Sequence, residues 1–367
     1  MTLPLEGIRV LSLAQQYPGP FATLVMADLG AEVILVERPP AGDPARMQPD
    51  FHAALNRNKR SVALDLKTTA GRDALRSLIA TADVLMEGFR PGTMDGLGFG
   101  YNDVTAINPR CVYVSISGFG QHGPYRDRPA HDLSYQAISG LLFRQAETGR
   151  IEPLPELAIG DLTAAMFAIT GCLSALLERT KTNKGRHVDV SMTDGLVSWM
   201  AVSLSPLMNG GPPGLAQINA EPGYGIYRCA DGRLLSLSIA YEDWFWKPLC
   251  GLLEMPDVAN ATHDERVRRE AELRERIGQA ISGLPRVEWA ALLDGAGIPW
   301  GAVNTLDEVA DDPHFRARGM FTQAMDADGR RRWHVAQPLI FDGVRSGPVS
   351  GVPVVGEDNV ALLQRQS

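Results

Sequence analysis

IRVLSLAQQYPGPFATLVMADLGAEVILVE, residues 8–37, decides the fold. Ile8 to Leu13 is a short apolar run that reads as a buried strand. The loop Ala14 to Pro20 is punctuated by Pro18-Gly19-Pro20, and Phe21 to Leu29 has helical character that stops at Gly30. Glu32 to Glu37, with Val33, Ile34, Leu35 and Val36 unbroken, is the next strand. Strand, helix and strand within about 30 residues are the unit of a parallel, doubly wound sheet.

The alternation continues. Ser61–Leu66 reads as a strand, Thr69–Ala80 as an amphipathic helix, and Val84–Glu87 and Cys111–Ser117 as further strands. Leu162–Arg179 is a long apolar helix, and Val188–Met192 one more extended segment. The texture then changes. Asn209 to Gly214 is a linker by composition. Tyr224–Ala230 and Leu234–Ile239 suggest a hairpin turned by Asp231-Gly232, and charged helices follow at His263–Ala280 and Arg286–Gly295. The segment Trp333–Phe341 and a short helix near Asn359–Gln366 finish the chain. The expectation is an α/β protein with a Rossmann-like large domain and a smaller α+β domain.

Composition narrows the class. Hydrophobic residues at 45% and charged residues at 21% suit a globular protein, and a net charge of -8 argues against a nucleic-acid surface. The cysteines, Cys111, Cys172, Cys229 and Cys250, are too scattered for a disulfide framework or a thiolate zinc site. No H-E-x-x-H or H-x-x-x-H spacing occurs, so no metal is expected, and there is no G-x-S-x-G elbow. Residues 1–7 lack the pattern of a secretory signal, and no window reads as a membrane span. A cytoplasmic protein without a membrane partner is expected.

Three knots flank strands of the sheet: Glu37-Arg38-Pro39, Asn56 to Ser61, and Gly88-Phe89-Arg90-Pro91-Gly92. Converging on one sheet edge, their cations and Phe89 would suit a phosphorylated nucleotide with a stackable base. A nicotinamide dinucleotide ranks below this, because the first turn, Ala14 to Pro20, lacks G-x-G-x-x-G even though Glu37 ends the second strand. Asp161 precedes the long helix, where it is either an N-cap or an acid or base beside free amides able to hold an oxyanion. His131 and Asp132 precede another helix; for an isolated His-Asp, a capping Asp132 and a partly exposed His131 are the simpler reading. Glu242, among Tyr241, Trp244, Phe245 and Trp246, could orient a catalytic His or sit at a helix start.

Taken together, several segments resemble the family III CoA-transferases (CaiB/BaiF), and among them the alpha-methylacyl-CoA racemases. They are GAEVI from Gly30, VERP from Val36, NRNKRSVALDLK from Asn56, EGFRPGTMD from Glu87, AHDLSYQAISGLL from Ala130, Gly160-Asp161, and GIPWGAVNTLDEVADDPHFRARGMF from Gly297. The resemblance implies a large CoA-binding domain over residues 1–200, a linker over 201–223, a small domain over 224–320 and a return to the large domain over 321–367, in a homodimer of interlocked rings. It also implies CoA as the substrate's thioester carrier, with no prosthetic group. CoA would be bound by Arg38, Lys59 and Arg90 at its phosphates and by Asp83, Leu85 and Phe89 on the adenine side, with Asn58, Gly88, Asp132 and Tyr135 as further binding residues.

In the racemase branch His131, oriented by Glu242, and Asp161 would be opposed bases exchanging the α-proton of a 2-methylacyl-CoA through an enolate. The match of His131, Asp132, Ser134 and Tyr135, and the reduction of a glycine-rich loop to Pro222-Gly223-Tyr224-Gly225, put this reading first. The alternative is a CoA transferase in which Asp161 forms an acyl anhydride and then a CoA thioester. A CoA-binding protein without turnover is the third. Gly96 stands where many relatives carry a basic residue, which leaves one phosphate contact open. The acyl chain is not specified.

Overall fold

Six parallel strands, β1 (Arg9–Ser12), β2 (Glu32–Glu37), β3 (Lys59–Ala63), β4 (Val84–Glu87), β5 (Val112–Ser117) and β6 (His187–Ser191), form one sheet in the order β3-β2-β1-β4-β5-β6. This is the doubly wound order, and the winding reverses between β1 and β4. The computed structural model describes residues 3–142, 157–212, 214, 216–326, 329–347 and 349–363. The chain divides into a first unit, Met1–Trp199 with Arg316–Ser367, and a second, Met200–Phe315.

Helices cover both faces of the sheet, which is why its strands read as continuous apolar runs: every residue of β4 and β5 is buried. One core layer joins Val10, Val33, Val114 and Ile116 to Met26 of helix Pro18–Asp28 and Ala168 of helix Ile159–Thr182. The other joins Ile34, Val62 and Leu85 to Leu75 and Leu78 of helix Thr69–Ile79.

The first helix begins at Pro18, inside the stretch read as loop. Proline fits the first turn because the amide it lacks has no intrahelical partner there. Gly19 is required: a Cβ would lie 2.1 Å from Ala14 Cβ. The long helix, Ile159–Thr182, is apolar and long enough to cross a membrane by length and composition, contrary to expectation; half of its apolar window is buried in the protein, and Met166 and Leu177 remain exposed.

Residues from the far end of the chain close the β3 edge. Asp358 Oδ2 accepts from Ser61 N at 3.0 Å, and Asn359 Oδ1 accepts from Ala63 N at 2.8 Å. These side chains occupy donors that an exposed edge would offer to another strand.

The second unit holds an antiparallel sheet of β7 (Tyr224–Arg228), β8 (Leu234–Ser238) and β9 (Trp300–Val303), backed by Trp246, Leu249, Ile277 and Leu293. Gly232, at φ 78°, turns the hairpin. The stretch read as a linker contains helices Ala201–Met208 and Ala216–Asn219, and the charged segment is two helices, His263–Arg268 and Glu270–Ile281. In the first unit β10 (Phe321–Met325) and β11 (Arg331–Val335) pair as an antiparallel hairpin.

Candidate active site

Asp161 lies in the first turn of helix Ile159–Thr182, not at its N-cap; Ala158 occupies that position and has no side chain able to cap. Asp132, from helix Asp132–Ile138, supplies the missing acceptor. Its Oδ1 takes the amide hydrogens of Gly160 at 2.7 Å and of Asp161 at 3.2 Å, while Gln136 Nε2 donates to its other oxygen. The amides that the sequence left free for an oxyanion are therefore occupied, and Asp132 does not cap its own helix. Among the described residues none hydrogen-bonds to the Asp161 carboxylate. Burial, reinforced by the Asp132 charge, pushes its carboxyl up to about 7.

Two tyrosines, Tyr135 and Tyr17, feel the charges of this acidic pair. Tyr135 is buried, its hydroxyl donates to Ala130 O at 2.9 Å, and Phe119 meets its ring edge-on at 5.5 Å. Gly118 makes room for it, since a Cβ there would come within 2.6 Å of the Tyr135 hydroxyl. Burial, then the Asp161 and Asp132 charges, push the Tyr135 phenol up to about 12 and also raise that of Tyr17. Tyr17 ends the loop after β1, with Phe51 edge-on at 5.4 Å. Tyr17 and Gln136 were missed in the sequence, although Gln136 stands four residues after Asp132 on one helix, the spacing of facing side chains.

The basic knots do not converge on one edge. In a parallel sheet a knot after a strand and a knot before a strand lie at opposite edges. Arg38 follows β2, and Gly88, Phe89 and Arg90 follow β4, with Arg38 and Arg90 exposed. Asn58 and Lys59 open β3 and Asp83 precedes β4, at the other edge. Their side chains are also engaged. Lys59, 4% exposed, gives Nζ hydrogens to Pro20 O, Thr23 Oγ1 and Asn56 Oδ1 at 2.8–2.9 Å. Asn58 holds the amides of Val349 and Ser350, and Asp83 pairs with Arg179 at 2.8 Å. Leu85 is wholly buried in the core. In the structure the side chains of these four are engaged within the protein. Glu87, given no role in the sequence reading, accepts from Phe89 N at 2.8 Å and so shapes the Gly88-Phe89 turn; burial pushes its carboxyl up to about 7.

His131 is exposed at the N-cap of helix Asp132–Ile138 and makes no side-chain cap. Glu242 belongs to the second unit, at the N-cap of helix Asp243–Leu252, where its carboxylate accepts from Ala240 N at 2.8 Å. Among the described residues no group of three or more His, Cys, Asp or Glu side chains is placed to hold a metal.

The first unit is thus an α/β domain with a doubly wound sheet and a half-buried acidic pair at a helix head. The chain belongs to CoA-transferase family III, matching it over residues 5–359. Members of this family take CoA thioesters as substrates. The chain is 33% identical over 345 residues to the acetyl-CoA:oxalate CoA-transferase of Acetobacter aceti, covering 88% of this chain and 86% of that one. It is 30% identical over 378 residues to the human succinyl-CoA:glutarate CoA-transferase, covering 98% and 85%. A CAIB/BAIF family protein from Brucella suis superposes with a TM-score of 0.87 at 31% identity, over 100% of both chains.

These relatives overturn the racemase reading. Proteins alike over most of the chain are named CoA-transferases, for oxalate, glutarate, citramalate or mesaconate, rather than racemases. The expectation rested on His131, Asp132, Ser134 and Tyr135 beside a downstream Asp, and on the reduced loop Pro222-Gly223-Tyr224-Gly225. Residue types and spacing do not distinguish an Asp that moves a proton from one that attacks a carbonyl.

Proposed function

We propose that the protein is a CoA transferase that moves CoA between carboxylic acids, with Asp161 as nucleophile. The observation that carries this is the Asp161 carboxylate: half-buried, without a hydrogen-bond donor among the described residues, and held at a helix head by Asp132, in a chain whose relatives are named CoA-transferases. A desolvated carboxylate attacks a thioester carbonyl more readily than a hydrated one. Asp161 adds to the carbonyl and the C–S bond breaks, giving a mixed anhydride and CoA thiolate. The thiolate attacks the Asp161 carbonyl, releasing the donor acid and leaving an aspartyl-CoA thioester. The acceptor carboxylate displaces the thiolate to form a second anhydride, and the thiolate then takes the new acyl group and frees Asp161.

Arg38 and Arg90, exposed at the carboxy edge of the sheet, are suited to CoA phosphates, and Phe89 to its adenine. We further propose a homodimer, supported by the exposed Met166, Leu177, Val197 and Trp199 on two successive helices of the first unit.

The test is CoA exchange from succinyl-CoA or acetyl-CoA to a panel of acids that includes oxalate, glutarate and monocarboxylates. Exchange is expected together with a hydroxamate at Asp161 when hydroxylamine is added. Turnover that proceeds unchanged in Asp161→Asn would end the proposal.

A further inference from the structure

Gln16 has φ 67°, a left-handed backbone that a residue with a Cβ disfavours by roughly tenfold. It lies in the loop between β1 and the first helix, immediately before Tyr17, at the point where the sheet reverses its winding. Something must hold it there. Its amide hydrogen is shared between both carboxylate oxygens of Asp43, at 3.2 and 3.0 Å. Asp43 is 7% exposed and is itself anchored: its own amide donates to Glu37 Oε1 at 2.9 Å. Glu37 is 4% exposed and receives Arg46 through two nitrogens, each at 2.7 Å, and Ser61 Oγ at 2.6 Å. The acidic residue closing β2 thus fixes a second carboxylate, which reaches across to the loop after β1.

We propose that Asp43 is a positioning residue for the transfer reaction: it clamps Gln16 in its left-handed conformation and so sets the loop that presents Tyr17 to the site of Asp161. The inference rests on Asp161 being the nucleophile of a CoA transferase. Tyr17 heads helix Pro18–Asp28, which packs against the helix carrying Asp161, and the charges of Asp161 and Asp132 raise its phenol. A competing account is that Asp43 only caps the short turn Pro44–Met47, since its Oδ1 also accepts from Ala45 N at 2.8 Å.

Glycine at position 16 separates the two accounts, because glycine adopts positive φ without the penalty of a side chain. Four proteins are compared for kcat and KM with an acyl-CoA donor: the parent, Asp43→Ala, Gln16→Gly and the double variant. Asp43→Ala is expected to lower kcat about tenfold in the parent background and less than about threefold in the Gln16→Gly background, with a smaller change in KM. If Asp43→Ala does not fold, Asp43→Asn in both backgrounds gives the same comparison. An equal loss in both backgrounds, with an active parent and an inactive Asp161→Asn, overturns the inference alone. A parent that exchanges no CoA, or an Asp161→Asn that does, overturns the transferase reading and this inference with it.

Discussion

Asp132 caps a helix to which it does not belong: its Oδ1 sits 2.7 Å from the amide nitrogen of Gly160, 28 residues further along the chain. The contact does two things. It satisfies helix-terminal donors that Ala158 cannot reach, and it brings a second negative charge to the neighbourhood of Asp161.

Replacing Asp132 with Asn keeps an acceptor for the Gly160 amide and removes the charge. Desolvation remains the larger cause of the raised Asp161 pKa, but the Asp132 contribution is lost, so that pKa falls. With Asp161 as the proposed nucleophile, the acidic limb of the pH–rate profile is expected to move to lower pH. A limb that stays in place or moves upward would contradict this. Asp132→Ala also removes the cap and is expected to destabilise the protein by about 1 kcal/mol in urea unfolding.

Asp161→Asn should abolish transfer and stabilise the fold. The folded carboxyl titrates near 7 rather than at the ordinary 3.8, so it favours folding while protonated, and that advantage disappears as pH rises from about 4 through 7. The variant should match the parent below pH 4 and exceed it above pH 8, by roughly 4 kcal/mol at most. Thermal unfolding at both pH values measures the difference, and a parent as stable as the variant at pH 8 is the contrary result.

Gly160→Ala inverts the usual rule for helices. Alanine in a helix normally gains about 1 kcal/mol over glycine. Here the new Cβ would stand 2.8 Å from Asp132 Oδ1 and 3.3 Å from Leu196 Cδ1, so Asp132 must leave its amides. A net loss of about 1–3 kcal/mol is expected, with reduced turnover. Gain of stability in calorimetry would show that Asp132 tolerates displacement.

Arg57 and Asp28 form an ion pair at 2.6 Å with both side chains 1% exposed. Asp28→Ala strands the guanidinium and releases Asn58 Nδ2, which donates to the same carboxylate. A destabilisation of about 3–5 kcal/mol is expected from chemical denaturation. A loss under about 1 kcal/mol would indicate that water replaces the lost partner.

Much of the first unit was readable because a buried parallel sheet writes itself in apolar runs: Glu32–Glu37 and Val84–Glu87 were delimited to the residue. The places of Asp161 at the head of the long helix and of Gly88–Arg90 after β4 were legible for the same reason, since each sits at the end of a strongly patterned element. Strand direction was not carried through to the knots, so Asn58 and Lys59, which open β3, were grouped with knots that follow β2 and β4 at the opposite edge. Their engagement was also hidden, because the Lys59 acceptors on Pro20 and Thr23 lie 39 and 36 residues away. The Asp132 cap and the Asp43 clamp on Gln16 span 28 and 27 residues, and no local pattern records contacts of that kind. The choice between proton transfer and nucleophilic attack failed on chemistry, because an aspartate serves either.

The closure of the β3 edge by Asp358 and Asn359 has a consequence for biosynthesis. Ser61 and Ala63 leave the ribosome about 300 residues before the groups that seal them, their contacts spanning 297 and 296 positions. At about 5–20 residues per second that interval lasts on the order of fifteen seconds to a minute. Throughout it the nascent sheet carries an open flank, and every residue of the second unit is made within that interval. The unpaired flank belongs to the growing chain and is closed in the folded protein by Asp358 and Asn359.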